Sequence, residues 1–387
     1  MELTLRFLDD LTSHASAWDA LLAQQDAPTP FMRASFLRAL GRTGAACPDT
    51  GWQLLWPTLW GQGQEQDTLL AAAPLALKGH SWGEFVFDQA WARAYAQHGL
   101  RYYPKAVVAV PFTPVPGSRL LAVDDAHRAL LARALRDWTE AQGLSGLHLL
   151  FGSEADARAL QGLDFATREQ PQFHWQRDPA WQGFDDFLAA MKRDKRKKIQ
   201  QERRHVRDAG VQVRVVAGGA ITEADWAFFY RCYARTYALR GNPPYLPEGF
   251  FQQALSGGDR WVLLIAEHEG APIAASLLAQ SADGRTVYGR HWGAVRDLPF
   301  LHFELCYYAP LAWCIANGVQ RFEGGAQGEH KMARGLLPVP TQSQHWLADP
   351  RFADAVGRFA DEEQAAMAAY EAELAARSPF KPSQSGA

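Results

Sequence analysis

Cysteine is scarce in this 387-residue chain: Cys47, Cys232, Cys306 and Cys314 are scattered, with no C-x-x-C pair. That excludes a disulfide scaffold and a structural zinc site. No apolar run approaches the ~20 residues of a membrane span. The first residues, MELTLRFLDD, alternate like a strand and lack the basic-then-apolar pattern of a secretory leader. A reduced, cytoplasmic setting is the expectation. The H-E-x-x-H spacing is absent, so no metal is expected, and no serine sits in a G-x-S-x-G elbow. Charge of one sign is lacking overall: the net of −3 fits neither a histone-like binder nor an acidic tail. What is present is apolar and aromatic, 48% hydrophobic with 14 Trp, which suits well-packed cores and, at this length, about two domains.

The order of elements reads as α/β. Strand patterns fall near 3–7, 52–60, 68–77 and 144–151, with helices near 14–24, 31–42 and 124–142 and a segment turning helical before Gly99. The proline-rich PFTPVPGSR at 111–119 cannot be regular structure. The second half repeats the rhythm: a helix over 184–209, strand 211–216, helix 222–239 and a short helix over 248–255. Three antiparallel strands then follow, with EHEG and ADGR as hairpin turns. A long helix over 301–316 stops at Asn317-Gly318, strand VQRFEGG follows, and a charged helix covers 351–376. TLLAAAPLAL and PIAASLLAQ each precede a Trp-Gly pair, Trp82-Gly83 and Trp292-Gly293, an echo that fits duplication of one α/β unit. The expected units are 1–175 and 176–387, with QRDPAW as a linker.

The strongest local anomaly is MKRDKRKKIQQERRHVRDAGV. From Lys192 to Asp208, nine Lys and Arg face Asp194, Glu202 and Asp208, so the rest of the chain carries −9. Phe184, Phe187, Leu188 and Met191 fall at i, i+3, i+4 and i+7 and anchor the first turns on a core. Beyond them the apolar stripe thins to Ile199 and Val206. Such a run is either a solvated face or a site for a polyanion such as polyphosphate, coenzyme A, a tRNA backbone or an anionic lipid.

Acids, histidines and lysines cluster late: Arg290-His291, His302, Glu304, Glu323, then Gln327, Glu329, His330, Lys331 and Arg334 in EGGAQGEHKMARG. Proton transfer without a covalent intermediate suits them. Glu304, Glu323 or His330 can deprotonate an amine, and Tyr308 can reprotonate a leaving group. The same loop can also be a glycine turn whose polar groups are satisfied locally. Metal-dependent hydrolysis through His302, Glu329 and His330 ranks last.

Several blocks in order, YYPKAVVAVPFTPVPGSRLL, KRDKRKKIQQERRHVRDAGV, YGRHWGA, LHFELCYYAPL and EGGAQGEHKMARGLLPVPTQSQHW, resemble the FemAB-like family of predicted N-acyltransferases, within the GNAT acetyltransferase superfamily. The resemblance implies tandem GNAT-like units, each a mixed, mostly antiparallel sheet flanked by helices, with the active site in the second. It implies acyl transfer from acyl-CoA to an amine by direct attack. The acceptor is then an amine-bearing small molecule, peptide or cell-wall precursor. Related Fem-type enzymes transfer amino acids from aminoacyl-tRNA to peptidoglycan precursors, and the stretch from Arg196 to Val211 resembles their basic segment. A non-catalytic polyanion-binding module is the remaining alternative. Arg290 and Gly293 match the Q/R-x-x-G-x-G/A loop that holds acyl-CoA pyrophosphate, although Val295 stands where Gly or Ala is usual. Arg321, Gly324 and Ala326 fit by spacing. On this reading Glu304, Glu323, His330 and Tyr308 are catalytic. Arg290, Gly293, Lys195, Arg196 and Arg203 hold the donor, while Lys105, Arg119, His302, Gln327, Lys331 and Arg334 bind the acceptor.

Overall fold

The computed structural model describes residues 2–63, 67–255, 260–326 and 328–381. Its contacts divide the chain into two compact units, neither of them one continuous stretch. The first contains 1–170, 245–254 and 340–368, and the second 171–244, 255–339 and 369–387. The expected linear split at 175/176 therefore differs from the observed division. The observed division falls between 170 and 171, within the strand Ala166–Gln176 and ahead of QRDPAW. The expected helix over 248–255 forms, but its Phe250 packs edge-on against Phe36 of the first unit, 5.2 Å between centroids.

In the first unit the strands are β1 (Leu3–Leu8), β2 (Trp52–Gly61), β3 (Thr68–Ala72), β4 (Leu75–Lys78), β5 (Lys105–Val108), β6 (Leu121–Ala122), β7 (Gly146–Leu150) and the end of the last strand, β14 (Leu337–Leu347). The expected strand over 68–77 is split into β3 and β4 at Pro74, which has no N–H to donate to the ladder. Pairing is antiparallel except between β5 and β7, where Ala106 faces Leu147 and Val108 faces Leu149 in parallel. Leu75, Val108, Leu131, Leu135 and Leu147 form the core with the helix Asp125–Ala141. Asp124 caps that helix by accepting from the His127 N–H.

The second unit orders its strands β9 (Val211–Ala217), β10 (Arg260–His268), β11 (Ala271–Gln280), β12 (Thr286–Ala294), β13 (Arg321–Ala326) and β8 (Ala166–Gln176). All neighbours are antiparallel except β12 and β13. Glu269 and Gly270 both take positive φ, +53° and +75°, in the turn joining β10 to β11, as a type I′ hairpin requires. The core includes Trp175, Phe187, Met191, Ile199, Leu264, Leu311 and Phe322.

Two helices depart from expectation. The run over 184–209 breaks into Phe184–Ala190 and Arg193–Asp208, because Met191 turns extended at ψ 154° and bridges to Phe380. The helix over 301–316 forms, but Glu304–Tyr308 is wound as a π turn ahead of Ala309–Ala316. Pro310 lacks the N–H that would reach back to the Cys306 carbonyl, which accounts for the wider turn. Strands β8 and β14 escape the sequence pattern because polar residues and Pro171, Pro338 and Pro340 interrupt them. The Trp-Gly echo has no structural counterpart: Trp82 lies in an exposed turn after β4, whereas Trp292 lies within β12. Among the described residues no helix is long and apolar enough to cross a membrane.

Candidate active site

The second unit's parallel pair opens a cleft in its sheet. β12 and β13 stay in register only from Thr286 opposite Arg321 to Tyr288 opposite Glu323. Beyond that point they part, leaving a cleft of about 160 Å³ lined by Gly289, Arg290, Trp292, His302, Cys306, Tyr307 and Gly324, among others. The π turn supplies Cys306 and Tyr307 to this lining. The His302 ring stands edge-on to Trp292 at 4.8 Å and to Tyr307 at 5.8 Å. Burial first, then the neighbouring His330 and the cations Arg334 and Lys331, lower the His302 pKa to about 4, so the ring is neutral.

A second, larger cleft of about 570 Å³ lies beside the turn 329–334. Lys192, Asp194 and Lys195 from the start of the basic helix line it with Glu329, His330, Met332 and Ala333. Arg377, Ser378 and Pro379 complete it. Sequence spacing gave no sign that EGGAQGEHKMARG and the basic helix share one cavity. The turn needs glycine: Gly328 sits at φ +114°, and a Cβ there would fall 2.6 Å from the His330 ring. Glu329 is held by the Tyr370 hydroxyl at 2.5 Å and Arg377 at 3.2 Å. One hydrogen bond links the two clefts, between Tyr307 Oη and His330 Nε2 at 3.1 Å. Burial first, then Arg334 and Lys331, push the His330 pKa down, while burial raises that of Tyr307. The pair is accordingly a neutral imidazole against an intact phenol.

Four other residues singled out by sequence converge, but as a clamp. Glu202, buried on an otherwise basic helix, accepts from the Tyr308 hydroxyl and from Arg334 Nη2 at 3.3 Å. Beside it Arg203 donates to both oxygens of Glu304 at 3.0–3.2 Å and stacks on Phe184 at 4.5 Å. The Arg334 guanidinium also lies 3.5 Å over the Phe303 ring. Glu304, Tyr308, Arg203 and Arg334 thus pin the basic helix to the helical stretch that carries Tyr307.

Glu323 is buried on β13 on the face opposite Phe322. Arg321 Nε lies 3.2 Å from its Oε1 as an ion pair, and Oε2 has no hydrogen-bond partner among the described residues. Burial raises its pKa to about 7 against the opposing pull of Arg321. His174 lies 3.9 Å away in the β8 register but is held neutral, at about 3, by burial and the charges of Arg321 and Lys331. The contact is therefore no charged pair at neutral pH. Lys331 is buried, donates to the Gly325 carbonyl at 2.8 Å, and is lowered to about 8 by burial.

The rest disperse. Gly293 has a packing reason to be glycine, since a Cβ would fall 2.0 Å from the Cys232 carbonyl oxygen of the helix Glu223–Ala238. Arg196 lies half-buried on the basic helix outside both clefts. Gln327 lies outside the described residues. Lys105 and Arg119 belong to the first unit and are spent there. Lys105 is fully buried and donates to Ser81 at 2.9 Å, to Glu84 at 2.8 Å and to Asp88. Burial pulls its pKa down, but the two carboxylates outweigh this and leave it raised. Arg119 is committed to the carbonyls of Leu150, Gly117 and Val115. Among the described residues no group of three or more His, Cys, Asp or Glu side chains can hold a metal.

A family described as peptidoglycan biosynthesis/recognition, FemAB-like, matches residues 11–382. The chain belongs to the FemAB-like family. No curated protein matches it in sequence. Among solved structures, a C-terminal domain assigned to a lysylphosphatidylglycerol synthetase of Agrobacterium fabrum is similar, with TM-score 0.53 and 8% identity over 90% of this chain and 96% of that one. The L-PGS of Bacillus licheniformis is similar at TM-score 0.53 and 10% identity, over 89% and 96%. A tandem GNAT protein from the clavulanic acid biosynthesis pathway reaches 0.46 at 14% identity, over 90% and 99%, a score too low to carry weight. At these identities the first two speak for the fold of this FemAB-like protein alone.

Proposed function

We propose that this FemAB-like protein is an acyl or aminoacyl transferase that joins an activated acyl group to an amine by direct attack. The observation that carries this reading is the Tyr307–His330 hydrogen bond, which connects a small cleft at the parted strands to a larger, cation-bearing one. The acyl carbonyl sits at the parting of β12 and β13. There β12 has lost its neighbour on one side, and its freed backbone N–H groups can meet the oxyanion. Tyr307 accepts a proton from the attacking amine while passing its own to His330. The C–N bond forms, the bond from the carbonyl carbon to sulfur or oxygen breaks, and the proton returns through the same pair to the leaving group. Lys192, Lys195 and Arg377 hold the donor's anionic portion. The family's peptidoglycan description favours a cell-wall precursor as acceptor.

The donor is either acyl-CoA or aminoacyl-tRNA. The exposed cations Arg193, Lys197 and Lys198 on the same basic helix favour the longer polyanion. The test supplies radiolabelled acetyl-CoA or aminoacyl-tRNA with a peptidoglycan precursor carrying a free amine, and reads labelled product. Tyr307→Phe and His330→Ala should each slow transfer by about 100-fold or more while donor binding persists. Transfer unchanged in both variants would refute the reading.

A further inference from the structure

The basic helix carries a stripe that neither cleft uses. Gln200, Arg203, Arg204 and Arg207 fall at i, i+3, i+4 and i+7, the spacing at which an amphipathic helix sets its apolar face. Here they wall a separate cavity of about 230 Å³, closed by Asp185 and Leu188 around the helix Phe184–Ala190. None of its lining residues lines the other two clefts. Arg203 is fixed in place by Glu304 and by stacking on Phe184. Arg204 and Arg207 are exposed and have no acceptor among the described residues. Asp185 is the single carboxylate in the lining. Three guanidinium groups on one stripe repel one another, and an anion placed between them reverses the sign of that interaction. Guanidinium forks match the oxygens of a phosphate group better than a point cation does.

We propose that this cavity binds a phosphate group, as a phosphate ester or pyrophosphate. Arg204 and Arg207 clasp the oxygens, Arg203 is the rigid wall, and Gln200 is a neutral donor. Leu188 gives the ester carbon an apolar neighbour. The site is distinct from the donor cleft of Lys192, Lys195 and Arg377. It does not depend on the protein being a transferase.

The probe is inorganic pyrophosphate, titrated calorimetrically into the full chain. Arg204→Gln/Arg207→Gln should weaken binding at least tenfold, and Arg204→Lys/Arg207→Lys should weaken it too, because the forks are lost while the charge is kept. Lys192→Gln/Lys195→Gln should remove at most a second binding event belonging to the donor cleft and leave the one that depends on Arg204 and Arg207. Binding unchanged in the Gln pair, or lost only in the Lys192/Lys195 pair, overturns the proposal. Co-sedimentation then separates the sources. Capture by phosphatidylglycerol vesicles but not phosphatidylcholine vesicles, abolished in the Gln pair and competed by pyrophosphate, identifies a lipid headgroup. Pyrophosphate binding without vesicle capture identifies a soluble phosphate ester. Neither arm reads acyl transfer, so a failed transfer assay leaves this test intact.

Discussion

Replacing Glu323 by glutamine should stabilise the protein at alkaline pH and barely affect it in acid. The carboxyl is 3% exposed, and burial lifts its pKa from the ordinary 4.5 to about 7. The native state therefore holds this proton more tightly than the unfolded chain does. That advantage is complete below pH 4.5 and is lost as pH rises to about 7. Ionising the carboxylate in place costs roughly 3 kcal/mol, at about 1.4 kcal/mol per tenfold change in proton affinity. Glutamine keeps the shape and carries no such cost. Between pH 5 and pH 8 the stability difference between Glu323→Gln and wild type should shift by about 2.5 kcal/mol in favour of the variant. Urea unfolding at the two pH values measures this directly. His174, held at about 3, is common to both proteins and cancels in the difference. An equal difference at both pH values, or one that grows in acid, would show that Glu323 is not the isolated buried acid described.

Three further outcomes follow from the packing. Gly293→Ala should lose about 1–3 kcal/mol or more in thermal or urea unfolding, since its Cβ has only 2.0 Å to the Cys232 carbonyl oxygen; a neutral result would reopen a ligand-binding reason for that glycine. Glu202→Ala should cost about 3–5 kcal/mol because it strands buried Arg334, whereas Tyr308→Phe should cost about 1 kcal/mol; equal, small losses by urea unfolding would dissolve the clamp. Lys105→Met should unfold the first unit or weaken it by at least about 3 kcal/mol, because Glu84 and Asp88 remain buried without their cation. Limited proteolysis within residues 1–170 reports that loss.

Local signals made most elements legible. The helix over 223–238 begins at a Thr222 cap with Asp225 three residues on, and the Asn317-Gly318 stop coincides with Gly318 at φ +72°. Strands β8 and β14 were not legible, since their stability comes from neighbours far along the chain rather than from alternation. The site was half legible for the same reason. Charge runs and glycines marked Lys195, His330 and the turn around them. The partners that give them meaning are set by register and packing: His174 opposite Glu323, Arg377 in the wall of the larger cleft, Tyr307 on a π turn. Sequence reasoning also treated carboxylates as free to act. Glu304 is spent holding Arg203, which the i, i+3 pattern of one helix cannot reveal.

The discontinuous first unit has a consequence for synthesis. Strand β7 takes Ser343–Leu347 of β14 as its antiparallel neighbour, and those residues leave the ribosome long after Leu150. At about 5–20 residues per second, the interval is on the order of 10–40 s. Throughout it, β7 has an open hydrogen-bonding edge bearing Leu147 and Leu149, a template for mispairing. All six strands of the second unit emerge in the meantime. The sheet that starts first therefore receives its last strand only after every strand of the second unit is made, and chaperone dependence should concentrate on its waiting edge.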